Sequence, residues 1–204
     1  MGELTLTTFL TLDGIMQAPG GPTEDPSGDF PYGGWLVPHA SPDTGGAVID
    51  NIAKAGAFLL GRGTYDIFAG HWPKIDDPNH PIAAKLNTLP KYVASRTAKK
   101  FDWRQSSHVA DVVNDIEGLK ARTDGELQVH GSAGLAQTLI EHDLIDEYRL
   151  FLFPVVIGKG KRLFGAGAVP ANLTLVSTKA TGKGAIISVY RRGGAFKSGS
   201  FELS

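Results

Sequence analysis

There is no cysteine among the 204 residues. Its absence excludes disulfides, thiolate nucleophiles and cysteine-ligated zinc together, and it fits a reducing compartment. A surplus of one charge is missing too. Twenty basic side chains face 21 acidic ones, for a net charge of −1. No basic footprint therefore points to nucleic acid or an anionic membrane. No apolar run approaches the roughly 18 residues of a membrane span, and no basic stretch leads into an apolar one at the start. The expected location is the cytoplasm. The six histidines never take the H-E-x-x-H spacing, so no metal is expected, and neither a G-x-S-x-G elbow, a Walker loop nor a G-x-G-x-x-G fingerprint occurs. No internal repeat or linker divides the chain. What remains is an ordinary globular composition, 42% hydrophobic and 20% charged, at a length that suits one large domain or two small ones.

The pattern along the chain is alternating strands and helices. Residues 3–12 alternate as a strand and end at Asp13-Gly14. From Gly14 to Gly46 the composition changes, with half of the 12 prolines, eight glycines and the aromatics Phe30, Tyr32 and Trp35. A loop this long in a compact chain is either a binding segment or an insertion, and the clustered aromatics favour a substrate lid. Gly46–Gly56 reads as a short helix, with Asp43 as its cap. Ala57–Gly61 reads as a strand covered on both faces. Further elements are expected at Ile82–Leu89 (helix), Lys91–Ser95 and Ser107–Ala110 (strands), and Val112–Arg122 (amphipathic helix). Glu126–Tyr148 runs strand, glycine turn, helix, strand. Tyr148–Ile157 is the most strand-like run, with Pro154 marking a bulge, an edge or an end, and it is expected to be exposed and to need a partner. Gly158–Arg162 reads as a solvent-facing turn. Leu173–Lys179 and Ala185–Arg192 form an expected antiparallel pair.

Three strand ends carry similar chemistry: Gly61-Arg62-Gly63-Thr64, Ser95-Arg96-Thr97 and Gly131-Ser132-Ala133-Gly134. Alternating strands and helices imply a mainly parallel sheet, whose ligands bind beyond the carboxyl ends of the strands. The third segment opens directly into a helix, where free N–H groups suit a pyrophosphate, though a simple packing turn would read the same. Two arginines with Ser and Thr hydroxyls suit a phosphate monoester. Together they fit NADPH better than NADH.

Several segments carry a family resemblance: TLDG at 11–14, FLLGRGTYDIF at 58–68, VASRT at 93–97, VHGSAGLAQTLIEHDLIDEYRLFLFPVVIGKGKRLF at 129–164, and the closing strand pair. The chain resembles the dihydrofolate reductase-like superfamily, in particular the reductase domain of bacterial riboflavin biosynthesis and its stand-alone relatives. The resemblance implies an α/β three-layer sandwich: a central mixed, mostly parallel sheet with C-terminal antiparallel strands and helices on both faces. It implies a domain over 1–193 with a tail at 194–204, NADPH as hydride donor, a small-molecule substrate and a homodimer. By the same resemblance Gly61, Arg62 and Thr64 lie on the adenosine phosphate side, and Ser95 and Arg96 by the adenine and 2′-phosphate. Gly131, Ser132, Gly134 and Leu135 form the pyrophosphate turn. Asp13 is the expected catalytic acid near the nicotinamide. Trp35, Phe68, Trp72, Phe153 and Pro154 are expected to face the substrate. The chain departs from its relatives in two ways. The segment before Asp43 differs from that of pterin reductases, and the deaminase cysteines often fused to riboflavin reductases are absent. The expected activity is NADPH-dependent reduction of a small heterocyclic or ribosylamine-like compound, resembling 5-amino-6-(5-phosphoribosylamino)uracil reductase. The alternatives are a dihydrofolate reductase and a non-catalytic nucleotide-binding dimer of the same fold.

Overall fold

The computed structural model describes residues 2–97, 100–165 and 168–201. Eight strands form one sheet in the order β4-β3-β2-β5-β1-β6-β8-β7. They are β1 (Leu4–Thr11), β2 (Ala55–Gly61), β3 (Lys91–Ala94), β4 (Ser106–Val109), β5 (Glu126–His130), β6 (Glu147–Phe153), β7 (Leu173–Ala180) and β8 (Ile186–Arg192). The first six run parallel, and β8 and β7 close the sheet antiparallel. Five helices connect them: α1 (Pro42–Ala53), α2 (Arg62–His71), α3 (Pro81–Thr88), α4 (Val112–Ala121) and α5 (Ala133–Glu141). This is the expected α/β sandwich with a mostly parallel sheet and an antiparallel C-terminal pair.

The period-two alternation of the strands sorts the helices onto two faces. Leu4, Leu6, Leu59, Leu127 and Val129 pack with Ile116 and Leu119 of α4 and with Leu135, Leu139 and Ile140 of α5. The opposite face carries Phe58, Leu60 and Val93 against Tyr65 of α2 and Leu86 of α3, and Phe151 and Phe153 against Val48 of α1. Each fully buried leucine or phenylalanine contributes about 1.5–3 kcal/mol of transfer free energy. Docking of these apolar faces therefore outweighs the weak propensity of helices only two or three turns long.

Between those two apolar patches the second face is polar. Thr5 and Thr7 of β1 lie beside Gln128 and His130 of β5, and beside Glu147 and Arg149 of β6. Arg149 is 3% exposed. Its terminal nitrogens donate to both oxygens of Glu126 at 2.7 and 2.8 Å, and its Nε donates to Glu147 Oε1 at 2.7 Å. Arg191 of β8 donates to the other oxygen of Glu147 at 3.0 Å. The buried charges are thus paired through hydrogen bonds, the condition on which such a cluster is tolerated.

Four expectations need correction. Helix α1 begins at Pro42, four residues early, because Ser41 and Thr44 form a reciprocal capping box that overrides the paired glycines. Asp43 is therefore not the cap. It lies in the first turn and accepts from Lys179 Nζ and the Gly182 N–H. The strand expected over Tyr148–Ile157 stops at Phe153, since Pro154 offers no N–H to continue the ladder. Nor is that strand exposed. It lies between β1 and β8, and the exposed edge is β7. Residues 194–201 lie beyond the last strand, and 202–204 of the expected tail fall outside the described residues.

Removing Arg149 leaves two carboxylates buried beside each other. Arg149→Met should cost about 3–5 kcal/mol of unfolding free energy in urea titration at pH 7. A loss under 1 kcal/mol would mean that the cluster is hydrated rather than buried.

Candidate active site

The carboxyl ends of the six parallel strands point the same way, and the site forms where the chain order reverses. From β1 the chain moves out to β2, β3 and β4, then returns through β5, which fills the slot between β1 and β2. Such a reversal leaves a crevice beyond the strand ends. At its centre the chain passes from β5 into α5 through Gly131 and Ser132, both left-handed with φ of 54° and 57°. For serine that conformation costs about 1–2 kcal/mol. Here the Ser132 hydroxyl accepts from the Gly61 N–H at 3.1 Å and donates to the His130 carbonyl at 3.1 Å. One side chain thereby ties the ends of β2 and β5 together. A Cβ at Gly134 or Gly63 would meet nothing within 4 Å, so open room lies over the first turn of α5.

Two cavities meet at this turn. An open groove of about 1240 Å³ runs past Gly61, Arg62, Thr64, Ser95, Arg96, Ser132, Gly134 and Leu135. The three strand ends that looked alike in sequence therefore lie along one groove. Of the expected cofactor residues, Gly131 alone does not line the groove; it lines the other cavity, a smaller chamber of about 340 Å³. Its walls are apolar, from Phe9, Val48, Ile52, Ile67, Phe68 and Trp72, and His130 and Thr7 line it as well. Glu24, Asp25, Thr64, Ser132 and Lys161 border both cavities. A further cleft of about 760 Å³ lies beyond Arg62, between α2 and residues 100–104, away from the α5 turn.

Phe68 and Trp72 face the chamber, whereas Trp35, Phe153 and Pro154 do not line it. Trp35 is 8% exposed, donates its indole N–H to the Gln17 carbonyl at 2.8 Å, and packs edge-on against the fully buried Phe153. Phe30 is in the same cluster, and Pro154 is exposed. Trp35 and Phe30 are thus core that holds the loop down, not a lid, while Tyr32 is exposed, edge-on to Phe30, and lines none of the cavities. Gln17 holds the loop as well, donating to the carbonyls of Asp25 and Ser27 and accepting from the Lys161 N–H.

That anchored loop delivers Glu24, a residue the sequence did not single out. Oε2 of Glu24 accepts from the N–H groups of Gly20 and Gly21 at 2.5 and 3.1 Å. Burial pushes its carboxyl above the ordinary range, despite those hydrogen bonds, and Asp25 adds to the rise. Asp25 itself pairs with Lys161 at 2.6 Å. No spacing signal marks Glu24, because its place depends on how the loop folds back. His130 was also passed over. It lay in the open as the residue before the glycine turn, where a parallel strand points its last side chain at the site.

A sequence profile of the RibD C-terminal domain matches residues 3–187. The uncharacterized protein YyaP of Bacillus subtilis (strain 168) is 29% identical over 195 residues, 94% of this chain and 96% of its own. The fold is similar to that of a putative riboflavin biosynthesis protein from Shewanella sp. PV-4, with a TM-score of 0.70 at 22% identity over 94% of this chain and 99% of the other. It is also similar to dihydrofolate reductase from Enterococcus faecalis in complex with NADP(H), with a TM-score of 0.61 at 14% identity over 95% and 98%. Among the described residues no helix is long and apolar enough to cross a membrane.

Asp13, the expected catalytic acid, lines none of the three cavities. Its carboxylate accepts from the Thr11 hydroxyl at 2.6 Å and from the N–H groups of Ile157 and Gly158 at 3.2 and 2.7 Å. Arg162 donates to its carbonyl. It therefore ties the loop after β1 to the loop after β6. The Thr11 hydrogen bond and those backbone donors hold its pKa at about 2, against an ordinary 3.8. A depressed carboxylate pKa stabilises the fold above the unfolded value and loses that effect as pH falls through the folded one. Asp13→Asn should therefore cost about 1 kcal/mol at pH 7, less than the full shift implies because the turn faces solvent. The gap from wild type should close between pH 4 and pH 2 in urea titrations. A gap that persists at pH 2 would show that the charge is not what holds the turn.

Proposed function

From the premise that the chain belongs to the RibD C-terminal domain family, we propose that it is an NADPH-dependent reductase of a small planar heterocycle or ribosylamine-like compound. The observation that carries this reading is the junction of an open groove, edged by arginine, serine and threonine, with a smaller apolar chamber at one glycine turn. The groove residues suit the cofactor. The first turn of α5 offers backbone N–H groups under open space at Gly134, as a pyrophosphate requires. Arg96 lies farther along the groove, and among the described residues no carboxylate pairs with it. Bound with its nicotinamide at the junction, the cofactor supplies a hydride, and the protein supplies position, shielding and a proton.

Phe68, Trp72 and Ile67 exclude water from the chamber and offer flat surfaces to a planar substrate,. Glu24 borders both cavities, and burial holds its carboxyl above the ordinary range, so it is the proton donor in this reading. Its Oε2 remains pinned by Gly20 and Gly21 while Oε1, which has no partner among the described residues, is left to carry the proton. A dihydrofolate reductase draws less support. Helix α1 presents Val48 and Ile52 to the chamber, while its Asp43 is engaged with Lys179 and Gly182 outside it. The reading includes a homodimer formed on β7, whose edge exposes Leu175 and Val176 and would be covered by a second copy.

Cofactor choice is tested by fluorescence titration with NADPH and NADH. Arg62 is already paired with Asp66 at 2.8 Å, so Arg96 should carry most of the discrimination. Arg96→Ala should weaken NADPH roughly ten- to a hundredfold and leave NADH unchanged. Arg62→Ala should do markedly less. Equal losses for both cofactors in Arg96→Ala would remove it as the 2′-phosphate reader.

The acid is tested by pH-dependent turnover. Glu24→Gln should lower kcat by about a hundredfold at unchanged NADPH affinity. The wild-type rate should fall as pH rises through the raised Glu24 pKa, and the variant should lose that limb. If the profile is identical in Glu24→Gln, the proton comes from elsewhere.

A further inference from the structure

His130 ends β5 as a wall of the chamber, and what it offers a ligand is fixed by the residues behind it. Its Nε2 lies 3.0 Å from Gln128 Oε1. The amide nitrogen of Gln128 donates to the Asn51 carbonyl at 2.6 Å and to Glu126 Oε2 at 2.7 Å. Both of those partners can only accept, so the amide cannot be turned around. Its oxygen must therefore face His130, and His130 Nε2 must carry the hydrogen. Glu126 stays a carboxylate because Arg149 grips both its oxygens. Burial raises its pKa, but the hydrogen bonds from Arg149 and Gln128 bring it below the ordinary range.

The ring cannot escape this assignment by taking a second proton. Burial, followed by the nearby charge of Arg149, pushes the His130 pKa down to about 4, with Glu126 opposing. Near pH 7 the imidazole is neutral, Nε2 bears the hydrogen, and Nδ1 is a bare acceptor. Among the described residues Nδ1 has no partner. Beside it in register, Thr7 also lines the chamber, and its buried hydroxyl has no partner either.

We propose that His130 is the specificity-determining residue of the chamber: an obligate hydrogen-bond acceptor, locked by the Arg149–Glu126–Gln128 relay, that selects ligands presenting an N–H group. The inference rests on the reading of the chamber as the substrate site. It narrows the substrate to planar heterocycles with a ring N–H or an amino substituent on the edge that meets β5. An analogue with that hydrogen replaced by methyl leaves Nδ1 desolvated without a partner and also meets the strand sterically. Sites built around a buried polar group reject a mispaired ligand strongly for this reason.

The test has two arms. In the first, the full chain is labelled with ¹⁵N and the His130 ring is read by long-range ¹H–¹⁵N correlation at pH 7. The expected pattern is the neutral Nε2–H tautomer. An Nδ1–H or imidazolium pattern overturns the proposal without any variant being made. In the second, quinazolin-4(3H)-one and its 3-methyl analogue are titrated in the presence of saturating NADPH, with Trp72 emission and chamber resonances as readouts. Wild type should prefer the N–H compound at least tenfold. His130→Phe should reduce that preference to less than threefold. Binding of both compounds without discrimination overturns the role of His130 and leaves the chamber reading standing. Failure of both compounds to perturb chamber resonances overturns the chamber reading, and the proposal with it.

Discussion

The structure depends on a guanidinium held between two carboxylates under the middle of the sheet. Arg149, gripped by Glu126 and Glu147, makes it possible for one face of three central strands to be polar. An apolar core alone would have filled that face with leucine and valine and left no floor for a site. The charges are costly to bury, and each stays only because its partners satisfy it. Once paired, the cluster orients what lies in front of it. Glu126 fixes Gln128, Gln128 fixes His130, and the strand that carries this series ends at the glycine turn. Stability and site geometry thus draw on the same side chains.

The chamber mouth is organised from the other side by a loop that behaves as core. The segment between β1 and α1 has almost no regular structure, yet it is held by Trp35 on Phe153, by Gln17 reaching Asp25, Ser27 and Lys161, and by Asp13 on the loop after β6. Close passage of its strands leaves no room for side chains at one point. A Cβ on Gly33 would come within 2.5 Å of the Gly21 carbonyl. A segment anchored this way can hold Glu24 at a fixed place where the groove and chamber meet. A hinged lid would bring it there only on closing.

Much of the fold was legible because its signals are local. Period-two alternation marked the strands, and 3.6-residue periodicity marked the helices. The three decorated strand ends could be grouped because a parallel sheet sends all its carboxyl ends to one side. The misreadings have local causes as well. Glycines at 45 and 46 suggested a helix boundary that the Ser41–Thr44 capping box overruled. The clustered aromatics of the loop read as ligand contacts because sequence does not distinguish a ring that stacks on a substrate from one that stacks on Phe153. Asp13 read as catalytic from its place after β1, but besides Thr11 its carboxylate accepts from Ile157 and Gly158, more than 140 positions away.

By itself, the sequence determined the alternation of strands and helices, their order, and which strand ends carry arginine, hydroxyl and glycine residues. Each of those follows from interactions within a few residues. The tertiary structure alone decided which polar side chains meet across strands. Register, and not spacing along the chain, places Thr7 beside both His130 and Arg149. The amide of Gln128 behind His130 is held by Asn51, Glu126 is held by Arg149, and Trp35 is held by Gln17 and Phe153, all neighbours distant in sequence. Charge, desolvation and hydrogen bonding act through space, and only the folded chain fixes those distances.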